Sequence, residues 1–212
     1  MTLFIKKTIW TFFFVIVGAT GVALGLKTAV GVGAWDAFSQ SSSYVTNIKV
    51  GTFSMIMNLS CIALQLILLK RNFKPVAFLQ IGMTFVLGFM VNLMYYDVFS
   101  VITFSSYGLR LFLYVASILL IVFAISMIMS IDFLSFPLEA ACLVVAEKTK
   151  FSFGMIRQFV DVACIVGALS LSTLFNTPLT VREGTIIGMI LFAPLLAYLI
   201  PKVKPFIKKF GF

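Results

Sequence analysis

The chain has 212 residues, 61% hydrophobic and only 11% charged, with a mean hydropathy of +1.13. Soluble globular domains carry about 25% charged residues, so this composition excludes one and defines an integral membrane protein. The net charge of +9 would suit a nucleic-acid partner, but the placement of the basic residues explains it through membrane insertion instead.

In chain order, the first apolar run covers residues 8–29 and follows Lys6 and Lys7. It resembles a secretory signal, with "ATG" at 19–21 as a loose cleavage site, but it is longer than a usual signal core and is expected to remain as a first span. "VGATGVALG" (17–25) spaces small residues at four-residue intervals, which lets helices approach closely in lipid. Next comes "GVGAWDAFSQSSSYVT" (31–46), where Asp36 follows Trp35. Residues 34–47 would make a helix of roughly 21 Å, too short to span comfortably. Trp35, Phe38, Tyr44 and Val45 nevertheless favour apolar surroundings, so a re-entrant or interfacial helix is expected.

Runs 52–69 and 76–96 complete a first half, and the former contains Asn58. The second half begins with run 109–131. A short mixed segment, "SFPLEAACLVVAEKTK" (135–150), then carries Glu139 and is expected to form a second short helix. Run 153–174 contains Arg157, Gln158 and Asp161, and run 184–200 is the last. Each run is close to the ~20 residues a helix needs to cross ~30 Å of hydrocarbon. None shows the apolar/polar alternation of a membrane barrel. The expected fold is all-α, with six transmembrane helices in a single membrane domain over 1–212.

Lys6, Lys7, Lys70, Arg71, Lys74, Lys148, Lys150, Lys202, Lys204, Lys208 and Lys209 fall on one side of such a six-span chain, against Lys27, Lys49, Arg110 and Arg182 on the other. The positive-inside bias puts both termini in the cytoplasm of a bacterial cell, the chain being a multi-pass protein of its cytoplasmic membrane. Cys61, Cys142 and Cys164 lie in apolar stretches without a CxxC spacing and read as buried thiols. The chain has no histidine, which removes His-based metal sites and His general bases. It also lacks phosphate-cradling glycine motifs. An enzyme is not expected, nor a cofactor.

Shifting the chain by 103 residues pairs Asp36 with Glu139, Thr46 with Thr149, Gly51 with Gly154, Asn58 with Asp161 and Cys61 with Cys164. After three extra residues, "QIGMTFVLGFMVNLM" (80–94) meets "IIGMILFAPLLAYLI" (186–200) at an offset of 106. The halves, about 8–96 and 109–200, each hold three spans, so the second enters the membrane from the opposite side. Inverted repeats of this kind build transporters with a site near the midplane.

Asp36 and Glu139 fall in the first turn of their short helices, after Gly33 and beside Pro137, where the helix dipole favours an anion. They are either simple caps or two acids facing one pathway. Asn58 and Asp161 lie roughly 10 Å inside their spans, where ionisable groups are costly and face the bundle interior or water. Arg157 precedes Asp161 by one helical turn, so an intrahelical ion pair competes with a coupling or substrate role, with Gln158 as a nearby hydrogen-bonding group. The candidate site is Trp35, Asp36, Asn58, Glu139, Arg157, Gln158 and Asp161.

"GVGAWDAF", the Ser/Thr-rich stretch after it and a glycine opening the Asn58 span resemble the YczE/YyaS/YitT group of bacterial membrane proteins. That group shows a G-x-G-P-W-D-like motif after its first span, and here Ala34 replaces the proline. The resemblance implies the architecture and singles out Trp35 and Asp36, but implies no substrate. The expected function is a secondary transporter of a small solute by alternating access. The alternatives are a substrate-binding subunit of an ATP-driven vitamin importer, with Ala19 and Ala23 on its first span, and a non-transporting membrane scaffold or regulator. The expected partners are the lipid bilayer and a small solute, with a second copy or another membrane protein as further options.

Overall fold

The computed structural model describes residues 2–209 and is all-helical, with no strand among the described residues. Six helices are long and apolar enough to cross a membrane. The order is α1 (Leu3–Thr28), α2 (Ala34–Thr46), α3 (Val50–Leu69), α4 (Leu79–Asn92), α5 (Tyr107–Ile131), α6 (Pro137–Lys148), α7 (Phe153–Leu174) and α8 (Glu183–Lys209). Both short helices fall where the sequence places them.

The ends differ from the sequence reading for local reasons. α1 starts at Leu3, ahead of the apolar run, because Lys6 and Lys7 are good helix formers. The second span ends in a 3-10 turn at Lys70–Asn72, and the third is composite: a 3-10 turn at Pro75–Phe78 leads into α4, which closes in a π turn at Leu93–Val98. α8 runs on to Lys209 through Pro194, Pro201 and Pro205.

α1 and α5 form the central pair, antiparallel and tightly seated on small residues. A Cβ added at Gly21 would lie 2.8 Å from Ile121 Cγ1, at Gly25 3.0 Å from Ser117 Oγ, and at Gly18 3.5 Å from Ala124 Cβ. The spacing 18, 21, 25 against 124, 121, 117 is an alternating three-and-four seam, the pattern that keeps two helices in contact along their length. α4 packs on α1 and α8 on α5. Phe14, Val15, Met83 and Ile128 bind α1, α4 and α5 into one buried cluster, while Tyr114, Ile118 and Val122 carry the apolar face of α8.

The chain leaves α1 through Ala29, which is left-handed, and Gly31, at φ 109°. A side chain at Gly31 would be strained by that φ and would meet Thr185 N at 2.9 Å. Gly184 N donates to Val30 O (2.8 Å) and Arg182 Nη1 to Ala29 O (2.9 Å), so the start of α8 is tied to the end of α1. Lys27 Nζ donates to Ser100 O at the same end (3.2 Å). α5 likewise ends on a left-handed residue, Asp132, before Pro137 opens α6. The short helices then cross over: α2 packs on α7 as well as on α3, and α6 on α3 as well as on α7.

Consecutive long helices do not pack alike. α3 and α4 meet closely at Gly51 and Gly88, whose added Cβ atoms would each overlap the other's backbone oxygen. Asn92 seals the contact, accepting from Gly51 N (2.8 Å) and donating to Thr52 Oγ1 (2.9 Å). α7 and α8 have no comparable packing among the described residues, and a Cβ at Gly154 would meet nothing within 4 Å.

Candidate functional site

The first turn of α6 meets a guanidinium of α7, and the first turn of α2 opens beside it. Arg157, on α7, forms an ion pair with Asp161 one turn along, and its Nε lies 3.9 Å from Glu139 Oε1 at the start of α6. Asp36, in the first turn of α2, opens a helix that packs on α7, and its neighbour Trp35 packs on Ile156 and Leu138, which flank Arg157 and Glu139. Arg157, Glu139 and Asp161 side chains are each about a quarter exposed (24%, 23% and 24%), so the charges are neither sealed off nor freely solvated. One cation thus sits between two carboxylates, Asp161 and Glu139, with the acid of α2 in the adjoining first turn.

Local sequence explains the placement. Gly33 and Phe136 precede the two first turns in extended conformation, and neither cap is closed by a side-chain hydrogen bond. Unpaired N–H groups at each N-terminus favour the acid placed there. Asp36 makes no direct side-chain hydrogen bond or ion pair among the described residues. The three carboxylates are not a chelate: no group of His, Cys, Asp or Glu among the described residues is arranged to hold a metal ion.

Trp35 joins the two apolar clusters flanking the charges. It packs against Ala34, Met57 and Cys164 in one and against Leu138, Cys142 and Ile156 in the other, so a single indole bridges α2 to α6 between α3 and α7. Asn58 is buried on α3 and donates back to Ser54 O (3.0 Å), with Ser54 Oγ at 3.4 Å. Gln158, by contrast, lies on the exposed side of α7 and does not join the cluster. The structure therefore gathers Trp35, Asp36, Glu139, Arg157 and Asp161, leaves Asn58 in a neighbouring polar contact, and turns Gln158 outward.

Two polar groupings escaped the sequence reading. Gln65 Nε2 donates to Pro137 O (3.1 Å) and Gln80 Oε1 (3.2 Å), anchoring the start of α6 to α3 and α4. Two glutamines inside apolar runs were the available signal, since a buried amide needs partners. The second grouping is Ser41 Oγ, 2.7 Å from Thr180 Oγ1 and 3.4 Å from Ser172 Oγ, with Thr180 Oγ1 donating to Ala37 O (3.0 Å). It pins the serine-rich face of α2 to α7 and the segment after it; the serine run at 39–43 marked it. Two outer grooves of about 500 and 400 Å³, one beside Met55 and Phe89 and one beside Phe38 and Ser170, contain none of the charged residues.

An all-helical chain with six membrane-length apolar helices, two short helices between them and an internal charge cluster has the architecture of a multi-pass membrane protein. The chain belongs to DUF6198, a family of unknown function, which it matches over residues 5–201. No curated protein and no solved structure matches it.

Proposed function

We propose that the protein is a secondary transporter of a small solute, built as two inverted three-helix repeats that alternate access to a site around Arg157. The observation that carries this reading is the meeting of the first turns of α2 and α6, one from each half, beside Arg157: Glu139 Oε1 lies 3.9 Å from its Nε, and Trp35, next to Asp36, packs on Leu138 and Ile156. Two helix caps serving only their own helices have no reason to open side by side against one ion pair of α7.

Packing supports the repeat. At the sequence offset of 103, the contact of Gly18 with Ala124 exchanges with that of Gly21 with Ile121. The pairing of α2 with α7 exchanges with that of α6 with α3, and α4 on α1 with α8 on α5. The Arg157–Asp161 pair has its counterpart in Ser54–Asn58, also one turn apart and bonded. α2 and α6 are then re-entrant helices, one from each side, with their N-termini directed inward. Three carboxylates against one guanidinium favour a cationic solute or coupling cation over an anion. Kinship with the YczE/YyaS/YitT group belongs to the same proposal and rests on the Trp35–Asp36 motif, as bacterial cytoplasmic-membrane residence with both termini inside rests on the basic residues.

The vitamin-capture alternative loses its motive, because Ala19 and Ala23 are fully buried inside the chain rather than offered to a partner. The test is a thermal-shift screen of the purified protein against monovalent cations and small amines, repeated with Asp36→Asn. A compound should raise the melting temperature of the native protein and lose that effect in the variant. Equal stabilisation of both would separate Asp36 from the ligand.

A further inference from the structure

We propose that the unpacked faces of α7 and α8 form a gate that closes when the seam between α3 and α4 opens. This rests on the inverted-repeat reading and assigns the moving contact. Under the two offsets, Gly51 corresponds to Gly154, Gly88 to Pro194, Thr52 to Met155 and Asn92 to Tyr198. In the first half these positions are in intimate contact: glycine backbones touch and Asn92 donates to Thr52 Oγ1 (2.9 Å). In the second half they are apart. Gly154 faces open space, and Met155 and Tyr198 are 47% and 57% exposed.

Two halves of one design in unequal conformations define two interchangeable states: here the first half is closed and the second open. Exchanging the conformations gives the other state, with α8 against α7. Gly154, idle in this state, supplies the close approach in the other, as Gly51 does now. Pro194, inside α8, lacks the N–H that would bond one turn back, so α8 can bend there as it moves in. The site lies between the two contacts, because Arg157 and Asp161 follow Gly154 on α7 while Ser54 and Asn58 follow Gly51 on α3. One seam thus controls each approach to it.

The test is cross-linking of the full chain in membranes, with Cys61, Cys142 and Cys164 replaced by alanine. One variant carries Thr52→Cys and Asn92→Cys, a second Met155→Cys and Tyr198→Cys, and a third all four. A short bifunctional thiol reagent should link both pairs. In the four-cysteine chain, linking the first pair should lower the yield of the second about tenfold. No 155–198 link under conditions that give the 52–92 link, or both links in one molecule at full yield, would overturn the gate. In the native-cysteine chain, Gly154→Leu should leave the melting temperature unchanged and lower cation flux into proteoliposomes at least about tenfold; unchanged flux would overturn it equally. Mutually exclusive links in a protein without flux would preserve the gate and remove the transporter reading. Flux without the 155–198 link would do the reverse.

Discussion

Arg157 is the residue on which the cluster depends. Its guanidinium pairs with Asp161 and faces Glu139, so removing it leaves two carboxylates with no counter-charge. Partial exposure sets the cost between the ~0–1 kcal/mol of a solvated pair and the ~3–5 kcal/mol of a buried one. Arg157→Ala should lower the melting temperature in detergent, and adding Asp161→Ala should recover part of the loss by removing a stranded charge. No recovery would mean that the two are not coupled. Asp36, Glu139, Arg157 and Asp161 were legible as rare charges in an apolar chain, where a charge without a purpose is costly. Their gathering was not, because it depends on the packing of α2 on α7 and of α6 on both α3 and α7. Gln158 was misplaced for a related reason: spacing puts it beside Arg157 in sequence but about 100° away around the helix.

At the scale of elements, the pairing of α1 with α5 determines where the short helices hang. Gly21→Val would force a branched side chain against Ile121 and should cost about 1–3 kcal/mol through overpacking. Thr20→Val, beside it, should cost within about 0.5 kcal/mol. Comparable melting temperatures for the two variants would show that the seam does not carry the fold. The spans and both short helices were readable because hydrophobic length and the Gly33 and Pro137 signals are local. The α1–α5 seam was only half readable: the small residues of α1 were visible, but Ser117, Ile121 and Ala124 are unremarkable inside α5. The extension of α8 to Lys209 was missed because Pro201, Pro205 and four lysines beyond residue 200 read as an ending. A proline-bearing helix continues where each missing N–H is locally tolerated.

For the whole molecule, one set of connections gathers at the end of α1 and the start of α8, and the other at the opposite ends. Under the proposed orientation, Lys74→Cys should react with an impermeant thiol reagent only from the cytoplasmic side and Ser105→Cys only from outside. The reversed pattern would invert the topology. The proposed repeat rests in sequence on scattered identities at two offsets, and what no sequence comparison of the halves contains is their difference in packing, open at Gly154 and closed at Gly51. The central claim, that acids from both halves form one transport site with Arg157, is tested most directly by cation flux into proteoliposomes containing the native protein or Asp36→Asn/Asp161→Asn. The expected result is flux in the native protein and none in the double variant, with both folded to the same melting temperature. Full flux in the double variant would contradict the claim.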